Sequence, residues 1–433
     1  MPTPAATESE PPRERVPAAA MRIALVAVHS SPVAGPGRRD AGGMNVYLLE
    51  TGRALAARGH EVELVTRAEG PDEPALERIA AGLSVRRIEA GPRSPVRKES
   101  LAAIVDDFGT ALAGLPAFDV IHAHYWLSGL AAQRAARAGG TPFALTLHTV
   151  AALKQERRGR GEAPEPVERI AAERRLCAEA DAVVAIAPAE REAIARLYGR
   201  PAERIELARP GVDAALFHPG HRTQPRPYLA MVARLQPLKG VELAIDAIAA
   251  LPAGRRPALR VAGAPTPGAE AYPSALRARA RARGVTLQLE GTLSRRQVAE
   301  LLRGAQLALV PSRTETFGLV ALEAAASGVP VLGASVDGLR DSVCDGRSGV
   351  LVRGRDPRRW ARALQGLLAD PVRRARLGRD ARAHALTHGW ASTARALEAV
   401  YTRLREAGER TAQGRETGSH AAEAGSHPGR AGA

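Results

Sequence analysis

Short apolar runs alternate with amphipathic stretches along most of this chain. Residues 22–28 form the first run and end in His29-Ser-Ser-Pro and a Gly/Pro-rich loop. Helical periodicity begins at Gly42-Gly-Met-Asn-Val-Tyr47, lasts to about Ala57, and stops at Arg58-Gly-His60. Residues 61–66 are the next strand-like run. Strand, helix and strand in this order predict a βαβ unit of a parallel, doubly wound sheet. Runs at 120–124, 142–147 and 182–186 predict further strands, each followed by helical sequence. The pattern pauses at Arg209-Pro-Gly-Val-Asp213, and a linker rich in Pro, Arg and His follows. A second strand–helix series has its runs at 228–232, 258–261, 287–289, 307–310 and 330–333. The expected organisation is an α/β protein of two Rossmann-like, doubly wound domains, 21–213 and 228–388, joined by a linker at 214–227. A last helix is expected at 389–405, with Tyr401 inside it. No repeat of solenoid period is present.

Composition narrows the function. The 433 residues suit two or three domains, and 45% hydrophobic content supports real cores. No apolar run is long enough for a membrane span. Residues 1–20 are rich in Pro, Ala and Glu without the apolar segment of a secretory signal, and read as a disordered extension. Residues 406–433 read as a disordered tail. Cys177 and Cys344 give neither a disulfide framework nor metal spacing, which fits a reducing cytoplasm. A net charge of +15 raises nucleic acid as a partner. The arginines are spread along the whole chain, however, and aromatics are only 3%, so few stacking platforms exist and no nucleic-acid partner is expected. The basic excess suits phosphate-bearing substrates. Among 61 basic residues only Lys98, Lys154 and Lys239 are lysines. Lysines that persist against such a bias mark places needing a compact point charge rather than a planar fork.

Candidate chemistry sits at the turns after the strands. Pro311-Ser-Arg-Thr-Glu-Thr-Phe-Gly-Leu-Val-Ala-Leu-Glu323 puts Glu315 and Glu323 on a strand-to-helix turn. Ligands of α/β folds bind at that edge, and Gly318 lets backbone approach them closely. Gly42-Gly43 opens a helix after the first strand, where free amides attract a diphosphate. The absence of Gly-x-Gly-x-x-Gly argues against a nicotinamide dinucleotide. Arg234 and Lys239 lie on the loop into the second domain and are spaced to reach one diphosphate and neutralise a leaving group. His122-Ala-His-Tyr-Trp and Leu147-His-Thr-Val close two first-domain strands and form a candidate ligand wall. The histidines lack further ligands for a metal centre.

The Glu315–Glu323 block resembles the Glu-x7-Glu motif of retaining, nucleotide-sugar-dependent glycosyltransferases of family 4. The resemblance covers about residues 22–405. It is carried by His29-Ser-Ser-Pro, Asp40-Ala-Gly-Gly-Met-Asn-Val-Tyr47, His124-Tyr-Trp-Leu-Ser-Gly129, Leu235-Gln-Pro-Leu-Lys239 and Glu315-Thr-Phe-Gly-Leu-Val320. It implies a GT-B fold, with the last helix crossing back onto the first domain. It also implies a UDP-sugar donor, similar to UDP-N-acetylglucosamine, held by Gly35, Pro36, Gly43, Arg234, Lys239, Leu293, Glu315 and Glu323. The most similar branch glycosylates inositol phosphate at the start of mycothiol synthesis. That implies Lys98, Tyr125, Thr149 and Arg169 on the acceptor phosphate, and His29, Asp40 and Asn45 on the ring. His148, Arg234, Lys239 and Glu315 would serve the reaction itself. No cofactor is expected for catalysis. A structural magnesium ion is put in doubt by Ser327-Gly-Val-Pro330. The resemblance also allows a homodimer. Departures at Leu153-Lys-Gln155, 156–163 and Lys239-Gly-Val leave room for a relative acting on a natural product, a polysaccharide or a sugar phosphate, as in sucrose phosphate synthesis.

Overall fold

A computed structural model describes residues 19–34, 42–158, 163–220, 227–266, 268–336 and 338–424. Two sheets organise the chain. The first contains β1 (Arg22–Ala27), β2 (Glu61–Arg67), β3 (Leu76–Ala80), β4 (Leu83–Ile88), β5 (Val120–His124), β6 (Phe143–Thr146), β7 (Ala182–Ala185) and β8 (Ile205–Leu207). Their order is β3-β4-β2-β1-β5-β6-β7-β8. The second contains β9 (Tyr228–Val232), β10 (Ala258–Ala262), β11 (Leu287–Gly291), β12 (Leu307–Val310), β13 (Val331–Ala334) and β14 (Gly349–Val352), in the order β11-β10-β9-β12-β13-β14. Only the β3–β4 pair is antiparallel among the described strands. In both sheets the order reverses beside the first strand, β1 or β9, and such a switch point opens a crevice at the carboxyl ends.

The apolar runs are strands because helices cover both faces of each sheet, so every residue of β5, β6, β7, β12 and β13 is buried. The β3–β4 hairpin, β8 and β14 were not legible as such runs. In β4 the buried Leu83, Val85 and Ile88 are separated by Ser84, Arg86 and Arg87, and β3 is almost wholly exposed. An edge pair packed on one side need not be continuously apolar.

The final helix, Trp390–Ala424, packs Leu397, Val400 and Tyr401 into the first domain's core. Its Glu398 accepts hydrogen bonds from Arg58 and lies 3.2 Å from His60 Nε2. It runs past Arg405 to Ala424, which corrects the disordered tail expected from residue 406 over that stretch. No proline interrupts the run, and Ala, Glu, Gln and Arg outweigh its glycines. The two crossings between domains lie side by side. The Val212 amide donates to the His388 carbonyl at 2.8 Å, and the Thr393 hydroxyl donates to the Arg209 carbonyl at 2.6 Å. A Cβ on Gly211 would stand 2.3 Å from the Trp390 nitrogen, so this crossover needs glycine. No helix among the described residues is long and apolar enough to cross a membrane.

Candidate active site

The carboxyl ends of the two sheets face each other across a cleft of about 450 Å³ lined by both domains. Helices Gly43–Ala56 and Leu319–Ala326 start there from opposite sides. A Cβ on Gly43 would meet Leu319 at 3.4 Å, so the two helix N-termini converge. Their exposed amides and aligned dipoles favour an anion between them.

On the first-domain side, His29, Lys98, Tyr125, Thr149 and Arg169 all line the cleft. Each follows from a local feature. Arg67, buried at the end of β2, donates to the Pro92 and Ser94 carbonyls and ties down the loop leading to Lys98. Tyr125 follows β5 with φ 79°, and His148 follows β6 with φ 59°. These are the only non-glycine residues with positive φ among those described, and both face the cleft. Such strain persists where the surroundings over-determine it, and it gathers at functional sites. Lys98 Nζ lies 4.3 Å, and the Arg169 guanidinium 4.8 Å, from the centre of the Tyr125 ring. Arg169 donates to the Thr149 hydroxyl at 2.8 Å, to Glu173 at 2.7 Å and to Glu165 at 2.7 Å. The His29 ring packs 4.4 Å from Tyr125, and its buried Nδ1 has no partner. Burial, then the charges of Lys98, His148, Arg169 and Arg234, push that imidazole well below its usual range. His29 therefore lies between the cations of the two domains.

On the second-domain side, Arg234, Lys239, Leu293, Glu315 and Glu323 line the same cleft. Lys239 ends the turn Pro237–Lys239 after β9 and pairs with Glu315 at 2.7 Å. The Ser312 hydroxyl donates to the same Glu315 oxygen at 3.1 Å. Gly318 has φ 86°, and a Cβ there would approach Leu339 to 2.6 Å, so the Phe317-Gly318 turn needs glycine. Glu323 is buried and accepts from Arg295 at 2.9 Å. Burial pushes its carboxyl up, and Arg295 restrains the shift.

Some expected contacts fall elsewhere. Asn45 is buried beside the cleft wall. Its amide donates to the Ser30 hydroxyl at 2.8 Å and the Ser31 carbonyl at 2.7 Å, and its oxygen accepts from the Gly42 amide at 3.0 Å. It shapes the loop after β1 rather than facing the cleft. Gly35, Pro36 and Asp40 lie outside the described residues. Two cleft residues escaped the sequence reading. Arg295 was hidden among many arginines. Glu190 is the third residue of the helix that opens with Pro188, a spacing that marks helix starts. Its carboxylate accepts from the Ile186 amide at 2.7 Å while Oε1 is buried without a partner, and burial raises its pKa to about 7.

Ser327 opens the stretch on which a structural magnesium ion was doubted. Ser327 is buried and its hydroxyl donates to the Glu323 carbonyl at 2.9 Å. Among the described residues no three His, Cys, Asp or Glu side chains converge as a metal site.

Behind the cleft lies a buried histidine cluster. The Thr146 hydroxyl donates to the Val184 carbonyl, so it accepts from His122 Nε2 at 2.9 Å. His122 Nδ1 then accepts from the Tyr401 hydroxyl at 2.6 Å. His122 is thus a structural residue linking the final helix to the sheet. His124 Nδ1 lies 2.9 Å from His148 Nε2. The His148 carbonyl accepts from the Thr316 hydroxyl of the other domain at 2.7 Å. Burial lowers all three imidazoles, His122 and His148 to about 3. Their folded pKa values lie below the ordinary 6.5, so the unfolded chain binds more protons on acidification. The stability tied to neutral imidazoles is full above about pH 6.5 and drains away as pH falls toward 3. Glu190, raised to about 7, takes up a proton in the folded state over the same range and opposes the loss. The lowered imidazoles outnumber it, so the urea midpoint is expected to drop between about pH 7 and about pH 5. An unchanged midpoint would contradict their burial as neutral groups.

The model of family 4 glycosyltransferases in conflict systems matches residues 33–397. The chain belongs to glycosyltransferase family 4. It is 39% identical over 402 residues to D-inositol 3-phosphate glycosyltransferase of Acidothermus cellulolyticus, covering 88% of this chain and 90% of that one. The enzyme of the same name from Mycobacterium avium is 39% identical over 400 residues, covering 88% and 94%. Among solved structures, sucrose-phosphate synthase from Thermosynechococcus elongatus matches with a TM-score of 0.83 at 28% identity, over 89% of this chain and 100% of that one. HepE of Anabaena, solved with UDP-glucose, matches with a TM-score of 0.69 at 19% identity over 88% and 100%, a likeness of fold. The two facing α/β domains are those of the GT-B fold, and the family 4 protein is a nucleotide-sugar-dependent hexosyltransferase.

Proposed function

We propose that the enzyme transfers N-acetylglucosamine from its UDP-sugar to 1D-myo-inositol 3-phosphate, with retention of configuration, as the first step of mycothiol synthesis. The observation that carries this reading is the meeting of Lys98, Tyr125, Thr149 and Arg169 on one wall, opposite Arg234 and Lys239 on the other. Two cations and two hydroxyls suit a phosphate dianion, which takes charge-assisted hydrogen bonds from both. The unpartnered His29 Nδ1 is available to a ring hydroxyl. The names of the family relatives point to the same acceptor.

The donor's diphosphate would lie between the converging helix N-termini, with Arg234 and Lys239 neutralising the leaving group. The acceptor hydroxyl would attack the anomeric carbon from the face the nucleotide leaves. Its proton would pass to a departing phosphate oxygen. His148, with its pKa near 3, is a poor general base at neutral pH, which favours that route. Glu315 then holds a sugar hydroxyl, and Glu323 the ribose. No cofactor takes part in this scheme.

A screen of nucleotide sugars against inositol, inositol phosphate, hexose phosphates and polysaccharide primers tests the reading. Product mass and anomeric configuration are the readouts. The expected product is an α-linked N-acetylglucosaminyl inositol phosphate from the α-linked donor. Transfer to another acceptor class would replace this assignment.

A further inference from the structure

All three lysines of the chain line one cleft. Lys98 and Lys239 have places in the scheme above, and Lys154 has none. It lies on the short helix Ala151–Glu156 that follows Thr149. Its side chain is 35% exposed, and its ammonium bonds Glu165. The other oxygen of Glu165 accepts from Arg169 at 2.7 Å. One carboxylate therefore bridges two cations that face the cleft. Burial penalises this carboxylate, yet the Lys154 bond and the charges of Arg169, Lys154 and Lys98 hold it below the usual range. Tyr125, beneath Lys98 and Arg169, lies within electrostatic reach of Lys154 as well. Three cations thus converge on one region of the cleft wall.

The two side chains bridged by Glu165 are not equally free to move. Arg169 is nearly buried and is fixed by Glu173, Glu165, the Thr149 hydroxyl and the Thr149 carbonyl. Glu173 lies fully buried behind it. Most of the guanidinium's donors are already used. Lys154 has one carboxylate partner among the described residues and a flexible four-carbon stem carrying three rotatable donors. A phosphate entering beside Tyr125 offers Lys154 a second anionic partner and can draw it from Glu165.

On the acceptor reading above, we infer that Lys154 is a further cation for the acceptor phosphate. Glu165 neutralises it in the empty cleft and releases it when the phosphate enters. The exchange trades one charge-assisted hydrogen bond for another, so it costs little when the phosphate is present. An unphosphorylated acceptor offers nothing in return for Glu165. The pair therefore sharpens selection for a phosphorylated substrate. Lysine suits the position because its ammonium can change partners by rotating its stem, which the fork of an arginine fixed by several bonds cannot do.

Steady-state kinetics of the full chain test this, with UDP-N-acetylglucosamine as donor and either 1D-myo-inositol 3-phosphate or free myo-inositol as acceptor. Lys154→Gln is expected to raise KM for the phosphorylated acceptor by about tenfold or more, the scale of one lost hydrogen bond to a charged group. Its effect on kcat should be much smaller, and the ratio of kcat/KM for the two acceptors should fall by the same factor. Glu165→Gln, which removes the competing carboxylate, is expected to lower that KM. Lys154→Arg, which keeps the charge but loses the compact ammonium, should fall between wild type and Lys154→Gln. An unchanged KM in Lys154→Gln, with a raised KM in Lys98→Ala, would overturn the role of Lys154 and leave the acceptor reading standing. Equal use of both acceptors by the wild type would overturn the two together.

Discussion

Replacing Lys239 by alanine is expected to cut turnover by about a hundredfold or more, the usual effect of losing one charge-stabilising donor at a developing anion. Arg234→Ala should lose turnover on the same scale. The structure separates the two. Lys239 is paired with Glu315 at 2.7 Å, and the remaining hydrogen bond shown to that carboxylate comes from Ser312. Removing Lys239 therefore deletes a cation and also leaves an unpaired carboxylate beside the position proposed for the diphosphate. Lys239→Ala should be the more damaging change, and it should raise KM for the donor as well. Both side chains stand at the cleft rather than in the core, so thermal unfolding should shift little. Turnover numbers and melting curves for both variants check this. Near-normal turnover in either one would place the diphosphate elsewhere.

The second-domain wall of the cleft was legible because its residues sit where sequence patterns are strongest. A buried strand, a glycine turn and a helix start recur at Gly43 and at Phe317-Gly318, and strand-to-helix turns of that kind lie at the ligand edge of α/β sheets. The first-domain wall was reached by resemblance, since Lys98, Tyr125, Thr149 and Arg169 come from four separate segments and share no local pattern. What stayed hidden was pairing at a distance. Lys239 and Glu315 are 76 positions apart, Thr316 and His148 are 168 apart, and Arg58 and Glu398 are 340 apart. No local periodicity records such contacts. Asn45 carries a pairing of the same hidden kind. Its position in a specific motif suggests a ligand contact, and the sequence does not show that its amide also holds the loop after β1. The final helix was cut short because glycine and histidine suggested a tail, while the absence of proline was the more informative feature.

The wild type is expected to use inositol phosphate far better than free inositol, and this discrimination should be the largest selectivity the enzyme shows. A site built for a dianion leaves its cations and hydroxyls without the phosphate when a neutral ring binds, and sites of that design reject the smaller analogue strongly. Lys98→Ala is the cleaner probe. Lys98 stands over the Tyr125 ring at the cleft wall, and its removal should raise KM for inositol phosphate by about tenfold to a hundredfold, the scale of a charge-assisted hydrogen bond. Donor KM should stay nearly constant, because the donor's contacts lie mainly in the other domain. Arg169→Ala should look similar in kinetics but differ in stability. It would strip a partner from Glu173, which is fully buried, and such an uncompensated carboxylate costs about 3–5 kcal/mol. A lowered melting temperature should accompany that variant and not Lys98→Ala. If the wild type consumed inositol and inositol phosphate equally, the phosphate role of all four residues would fall. The donor side, carried by Arg234, Lys239 and the two helix N-termini, would stand, and the search for an acceptor would move to natural products and polysaccharides.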